Sequence, residues 1–193
     1  MKKNIFAIFF IIFFTTSVFS DTKILTITEG NPDAKIQLII YESLTCSHCA
    51  DFHANVYPHL KENFIDKGLA KIEFRNFPLN MAALNASKIA HCKNDGKSDI
   101  LHFLFENQNK WVKGSKIEEI NSNLKKILDS EGYEIDIDKC FENKKVEDHI
   151  LEDRIEAVKQ FNLNATPTLI INNKKFDKPL NYKNLKKTLE KLI

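Results

Sequence analysis

The chain has 193 residues, with 28 Lys and Arg against 26 Asp and Glu, enough for one domain with a sizeable core or one domain carrying an insertion. The positive excess resides in Lys2 and Lys3; the 28 basic residues less these two leave 26 against 26 acidic ones. A balanced remainder gives no electrostatic case for nucleic acid or an anionic membrane as partner.

Residues 1–20 read as a secretory leader. Lys2 and Lys3 precede an unbroken apolar run over 5–14, and Thr15, Thr16 and Ser17 lead to Val18-Phe19-Ser20. Charge, apolar stretch and small-residue exit in that order describe a signal peptide, with cleavage expected before Asp21. The competing reading is a membrane anchor, but the run falls short of the roughly 18 residues a span requires. No Cys stands near the exit, which argues against a lipoprotein. Export makes the periplasm the expected location and makes disulfides the expected state of the four cysteines.

Residues 23–28 alternate enough for a short edge strand. Residues 35–41, Lys-Ile-Gln-Leu-Ile-Ile-Tyr, are apolar and rich in β-branched side chains, the pattern of a buried central strand. Segment 50–67 carries Phe52, Val56, Leu60 and Phe64 at helical spacing, with Pro58 expected to kink or split it and Gly68 to stop it. A second strand is predicted over 70–77, with Ile72 and Phe74 on one face. From 80 to 161 the pattern is helical, with apolar stripes over 81–92, 98–109, 115–128, 137–141 and 146–161. Gly96, Gly114 and Gly132 separate several of these. The period then returns to two: 168–171 is a strand, Asn172-Asn173 a tight turn, and 174–176 can pair back. A helix over 182–192 closes the chain. The fold class is α/β, a mixed sheet with helices on both faces. Residues 21–79 and 162–193 build the sheet domain, and 80–161 form a helical insertion.

The chemistry lies between the central strand and the helix that follows it, in Cys46-Ser47-His48-Cys49. Cys46 falls at a helix N-terminus, where unpaired amides and the helix dipole stabilise a thiolate. His48 can add a donor or a positive charge. A stabilised thiolate is a good leaving group, so the Cys46–Cys49 disulfide becomes easier to attack and more oxidising. Cys49, one turn further in, is the shielded resolving thiol. A zinc site would need two more ligands at short spacing, and His53 is the neighbour best placed to face the pair; His59 is also near. Covalent haem is excluded because Ala50, not His, follows Cys49. An inert disulfide is disfavoured because two cysteines so close cross-link almost no chain. No metal and no cofactor are expected. Ala165-Thr166-Pro167-Thr168 stands directly before the late strand, where a Pro marks a strand start or a special turn, and X–Pro is where a cis bond is accessible.

The segment from Tyr41 to His53, Tyr-Glu-Ser-Leu-Thr-Cys-Ser-His-Cys-Ala-Asp-Phe-His, resembles the active-site segment of the bacterial DsbA-like thiol–disulfide oxidoreductases. Arg75-Asn76-Phe77-Pro78-Leu79-Asn80 resembles their third-strand exit, and Ala165 to Thr168 their cis-proline loop. The resemblance spans essentially the whole chain beyond the leader, helical insertion included. It implies a thioredoxin-like mixed sheet with an inserted helical domain, and the introduction of disulfides into exported polypeptides. It makes Cys46 the nucleophile, Cys49 the resolving cysteine, His48 a tuner of the pKa and Pro167 the cis-proline, with Thr166 and Pro167 receiving substrate. It further implies reoxidation by a membrane thiol oxidase; a monomer is expected. The sequence departs from the pattern at three places. Ser47 stands where Pro is most familiar; Thr166 stands where the best-known oxidases carry Val, and Thr there also resembles the disulfide isomerases. Ile40 fills a strand position that often holds a buried acid, with Glu42 two residues further on. These departures bear on the redox potential, so an isomerase or reductase is the alternative within the fold. A non-enzymatic metal-binding protein is the alternative outside it.

Cys92 and Cys140 both fall in the helical segment. In an oxidising compartment they are expected to pair, closing a loop that stabilises by roughly 4 kcal/mol on chain entropy; two free buried thiols are the competing reading. His91, His102 and His149 read as partly buried or surface residues, and Trp111 with Phe103 and Phe105 as core.

Overall fold

The structure, a computed structural model, describes residues 23–193, so the leader read from residues 1–20 lies outside the described residues. Among these, five strands form one sheet: β1 (Ile27–Gly30), β2 (Ile36–Glu42), β3 (Ala70–Asn76), β4 (Thr168–Ile171) and β5 (Lys174–Lys175), in the order β1-β3-β2-β4-β5. Strands β2 and β3 run parallel, and every other pairing is antiparallel. β2 takes the centre because both its faces are apolar, as strands covered on both sides require. Ile36, Leu38 and Ile40 are buried on one face and Tyr41 on the other.

The first strand starts at Ile27, later than the alternation from residue 23 suggests. The preceding backbone is tied elsewhere: Leu25 N–H donates to Asn94 Oδ1 at 2.7 Å, and Asn94 Nδ2 donates to the Lys23 carbonyl at 3.1 Å. At the other end of the sheet the two-residue turn is Asn172-Asn173, both with positive φ, 47° and 64°. Asn tolerates that left-handed region better than most residues, which is what a tight hairpin demands. The Asn172 side chain also accepts the Gln37 N–H at 2.8 Å, pinning the hairpin to the start of β2.

Beyond β2 the chain turns through Ser43 to Cys46 into α1 (Ser47–Asn55), α2 (Tyr57–Leu60) and a π-helical turn (Lys61–Ile65). The helix expected over 50–67, with Pro58 to kink or split it, is split into three pieces and starts earlier. The break comes at Val56, φ −115°, and Pro58 sits in the first turn of α2, where its missing N–H leaves no bond unmade. Gly68, φ +70°, ends the run.

Between β3 and β4 lie α3 (Met81–Ala90), α4 (Asp99–Glu106), α5 (Gln108–Trp111), α6 (Ile117–Ser130), α7 (Ile137–Glu142) and α8 (Lys144–Phe161). Asn80, Asp136 and Asn143 cap α3, α7 and α8 by accepting backbone N–H groups with their side chains. The stripe over 98–109 divides at Asn107 into α4 and α5, and the fold-back buries Trp111 completely, its indole N–H donating to the Leu104 carbonyl at 2.8 Å. A disulfide joins Cys92, after α3, to Cys140 in α7, with Cα atoms 5.4 Å apart. The last helix, α9 (Tyr182–Leu189), is capped by Asn181.

Helices α1, α2 and α9 cover one face of the sheet in the main core. α8 covers the other, where Ala157 packs with Tyr41, Phe77, Leu163 and Ile170. Asp153 fixes α8 to the end of β3. Buried to 2% exposure, it accepts Arg75 Nη1 at 3.0 Å, the Asn76 N–H at 3.0 Å and Asn76 Nδ2 at 2.9 Å. Replacing Asp153 with Ala strands those donors and is expected to lower stability by about 3 kcal/mol. Denaturant unfolding of the oxidised protein measures it, with the slope unchanged if only this clamp is lost.

Candidate active site

The central strand ends at Glu42, and four residues later Cys46 occupies the N-cap position of α1, with extended φ −86° and ψ 120°. Its carbonyl accepts the N–H groups of Cys49 and Ala50, both at 3.1 Å, and its own N–H donates to the Ser43 carbonyl at 2.9 Å. Gln108 of α5 grips the same turn from outside, its side-chain amide donating to the Leu44 carbonyl at 2.8 Å and the Cys46 carbonyl at 3.1 Å. The Thr166–Pro167 peptide bond is cis, and the Cys46 thiol donates to the Thr166 carbonyl at 3.5 Å. Residues 120 apart in sequence are thereby brought together. Thr166 and Pro167 line a groove with His48, Phe52, Val56 and Leu180.

Cys46 and Cys49 are both free thiols, the first partly exposed and the second fully buried. Their ionisation is driven apart. A hydrogen bond from the Cys49 side chain, against the opposing effect of burial and with help from the Thr166 side chain and the backbone amides of Cys49 and His48, holds the Cys46 pKa down to about 5. Thr166 Oγ1 is buried and has no hydrogen-bond partner beside the Cys46 thiol, which leaves its hydroxyl free to donate to a thiolate there. Burial pushes the Cys49 thiol far above its ordinary range, and its hydrogen bond to Cys46 and the charge of Glu42 act in the same direction. His48 reaches Cys46 through its backbone amide; its imidazole side chain is 82% exposed, 4.0 Å from the Asp51 carboxylate.

Beneath the cysteines lies a polar cluster that the sequence reading left unassembled. Glu42 is only 4% exposed, and its Oε2 lies 2.8 Å from His53 Nε2. His53 Nδ1 lies 3.0 Å from His102 Nδ1, and His102 Nε2 lies 2.8 Å from Glu29 Oε1. Ser98 and Tyr57 also donate to Glu29, at 2.6 and 2.5 Å. Burial works against the Glu29 charge, but the hydrogen bonds from His102, Ser98 and Tyr57 win and hold its pKa down to about 2. The nitrogens of His53 are thus taken by Glu42 and His102, and none is left for a metal at the cysteines. Among the described residues no group of three or more His, Cys, Asp and Glu is arranged to hold a metal ion. The one signal available was Glu42 itself, an acid ending a strand face otherwise made of Ile36, Leu38 and Ile40. His91 is buried beside His149 and Asn76; burial, then the neighbouring His149, hold its pKa down to about 4. Phe105 is buried against His53, whereas Phe103 is half-buried against Tyr133.

A family model described as Thioredoxin matches residues 22–191. Among solved structures, alpha-DsbA1 of Wolbachia pipientis is 30% identical, with a TM-score of 0.77 over 86% of this chain and 90% of that one. BdbD of Bacillus subtilis, at 24% identity, shares the fold with a TM-score of 0.73 over 86% and 92% of the two chains. Disulfide bond formation protein D of Bacillus subtilis is 27% identical over 172 residues, 84% of this chain and 74% of that protein. A protein of Rickettsia bellii named for protein-disulfide oxidoreductase activity is 29% identical over 147 residues, 74% of this chain but 55% of that protein. The chain spans about half the length of the Rickettsia relatives it matches. It belongs to the thioredoxin family, in its DsbA-like branch.

The depressed Cys46 pKa links redox state to pH. A thiol whose folded pKa is about 5 and whose unfolded pKa is near 8.5 binds a proton only in the unfolded state between those values. The reduced protein therefore gains stability as pH rises from about 5 to 8, and loses that gain as pH falls through the folded pKa. The oxidised protein lacks this contribution. Unfolding midpoints of both forms should diverge with rising pH across that window and run parallel below it; Thr166→Val should raise the Cys46 pKa by about one unit, read from thiolate absorbance.

Proposed function

We propose that this chain is an exported protein thiol–disulfide oxidoreductase that introduces disulfides into secreted or periplasmic polypeptides through a mixed disulfide on Cys46. The observation that carries this reading is the unequal setting of two sulfurs in one helical turn: Cys46 is held down to about 5 and Cys49 is pushed far up. A substrate thiolate attacks Cys46 Sγ and breaks the Cys46–Cys49 bond, and Cys49 leaves. A second substrate thiol then displaces Cys46, which departs readily because its thiolate is stabilised. Two electrons pass from the substrate dithiol to the protein, which a membrane thiol oxidase removes again. The groove beside Thr166 and Pro167 receives the substrate as an extended segment, with His48 at its rim. Segment 80–161 is an insertion into a thioredoxin-like unit of 21–79 and 162–193, braced by Cys92–Cys140 as a structural disulfide. Residues 1–20 direct export, and the protein acts as a monomer.

Trapping tests the order of events. Cys49→Ser should accumulate a mixed disulfide with a reduced, unfolded polypeptide, visible as a band lost on reduction. Cys46→Ser should abolish both the adduct and dithiol oxidation. The equilibrium with glutathione sets the direction: a potential well above about −270 mV, the thioredoxin value, is expected of the oxidase. A value at or below it would make the protein a reductase.

A further inference from the structure

We propose that the edge built by β5 and α9 is a docking surface for an anionic phospholipid bilayer. From residue 21 onward the chain balances its charges, but the balance is not uniform along it. Residues 174–193 hold seven lysines against Asp177 and Glu190, a formal charge of +5. Residues 21–173 hold 19 basic and 24 acidic side chains, a formal charge of −5. A general abundance of Lys does not produce this, because the acids are equally numerous and lie elsewhere. Exposed charges are screened beyond roughly 8 Å at physiological salt. A surface laid against this edge therefore senses the lysines first.

Successive residues of a helix turn by about 100°, so Lys183 and Lys187 fall opposite Leu185 and Leu189, which are fully buried in the core. Lys191 continues the stripe just past α9, beside Leu192 and Ile193, which are 40% and 62% exposed. Lys178 is tied to the same helix, its Nζ donating to Thr188 Oγ1 at 3.4 Å. On β5, Lys174 shares a face with Phe176, which packs on the core that α9 covers. The edge begins at the substrate groove: Leu180 and Asn181 line that groove with Thr166 and Pro167, and Asn181 caps α9. A bilayer laid along α9 therefore lies beside the groove.

Folding alone does not ask for all of these lysines. Lys174 and Lys175 guard an exposed sheet edge, where positive charge discourages pairing with another chain. No such edge exists on α9. There Lys183 and Lys187 stand four apart, where like charges repel, and Lys183 lies in the first turn, where the helix dipole disfavours a cation. Lys186 is offset by Glu190 at 3.8 Å. Lys183, Lys187 and Lys191 have no ion-pair partner among the described residues. Free ammonium groups beside exposed aliphatic side chains suit a lipid interface, where the former meet phosphates and the latter enter the headgroup boundary. A nucleic acid backbone would answer the charge and leave Leu192 and Ile193 in water. The use of such docking rests on the reading of a membrane thiol oxidase as the reoxidant: it turns a search through solution into one along a surface.

Co-sedimentation of the processed protein with vesicles of phosphatidylglycerol and phosphatidylcholine, at about 0.1 M salt, reads the contact directly. Binding should weaken as salt rises and vanish on phosphatidylcholine alone. The triple variant Lys183→Gln, Lys187→Gln, Lys191→Gln should bind about 100-fold more weakly, at about fivefold per lysine. A control triple, Lys113→Gln, Lys126→Gln, Lys159→Gln, removes the same charge from exposed positions outside this edge and should bind like the wild type. Equal losses in the two triples would reduce the effect to net charge and overturn the proposal. So would equal binding to neutral vesicles, no binding to anionic ones, or tighter binding to polyglutamate or single-stranded DNA than to lipid. Should a triple not fold, the wild type decides alone. Amide exchange slowed by vesicles within 174–192 supports the docking surface, and slowing confined to other segments refutes it. Failure to bind vesicles with Cys46-dependent exchange intact leaves the oxidoreductase reading standing; a wild type that binds them and exchanges no disulfides removes that reading alone.

Discussion

Two sulfur atoms separated by one helical turn experience different solvents, and most of the molecule is arranged around that difference. Cys46 stands where a helix begins and backbone donors are unpaired; Cys49 stands where the helix has entered the core. The first position favours an anion and the second forbids one. Such a contrast depends on where the helix starts, and the start is dictated by the strand before it. β2 is buried on both faces, so it can neither slide nor rotate, and its exit at Glu42 fixes the turn through Ser43 to Cys46. Gln108 from α5 and the Thr166–Pro167 loop then hold the turn from two further sides.

That same burial creates a difficulty for Glu42. Strand alternation gives it the face of Leu38 and Ile40, toward the core that α1 and α4 build. A lone carboxylate there would be costly, and partial pairing would be worse than an apolar side chain. The cluster answers by extending until it reaches water: each buried polar atom finds the next, and the last carboxylate meets Lys61 at 3.6 Å at a half-exposed edge. One oxygen, Glu42 Oε1, is left out.

How much of this the residues reveal unaided follows from how local each feature is. The central strand, the Asn172-Asn173 turn and the helical stripes between β3 and β4 depend on neighbours within a few positions, and they stand close to where periodicity sets them. Pro58 illustrates the limit: its effect was readable, but whether it bends one helix or begins a second depends on Val56, whose backbone answers to packing. His48 illustrates another, since a residue type announces its ring and says nothing of its amide. The polar cluster was the least readable. Glu42, His53, His102 and Glu29 come from β2, α1, α4 and β1, and no spacing connects them. His53 invited a metal reading only because its true partners lie across the core.

Ile40 sharpens the point about Glu42. The family resemblance leads one to look for an acid at position 40, and that side chain is apolar and fully buried. Positions 40 and 42 share a face of the strand, so an acid moved by two residues keeps its side while advancing about 7 Å along it. At 40 it would lie deep against Phe74, its partner across the ladder. At 42 it lies level with the first turns of α1, within reach of His53, whose ring is the next link outward. The displacement therefore turns a buried acid that would end in the core into one that continues to the surface. Glu42, His53 and His102 thus form one connected run of contacts rather than three separate features.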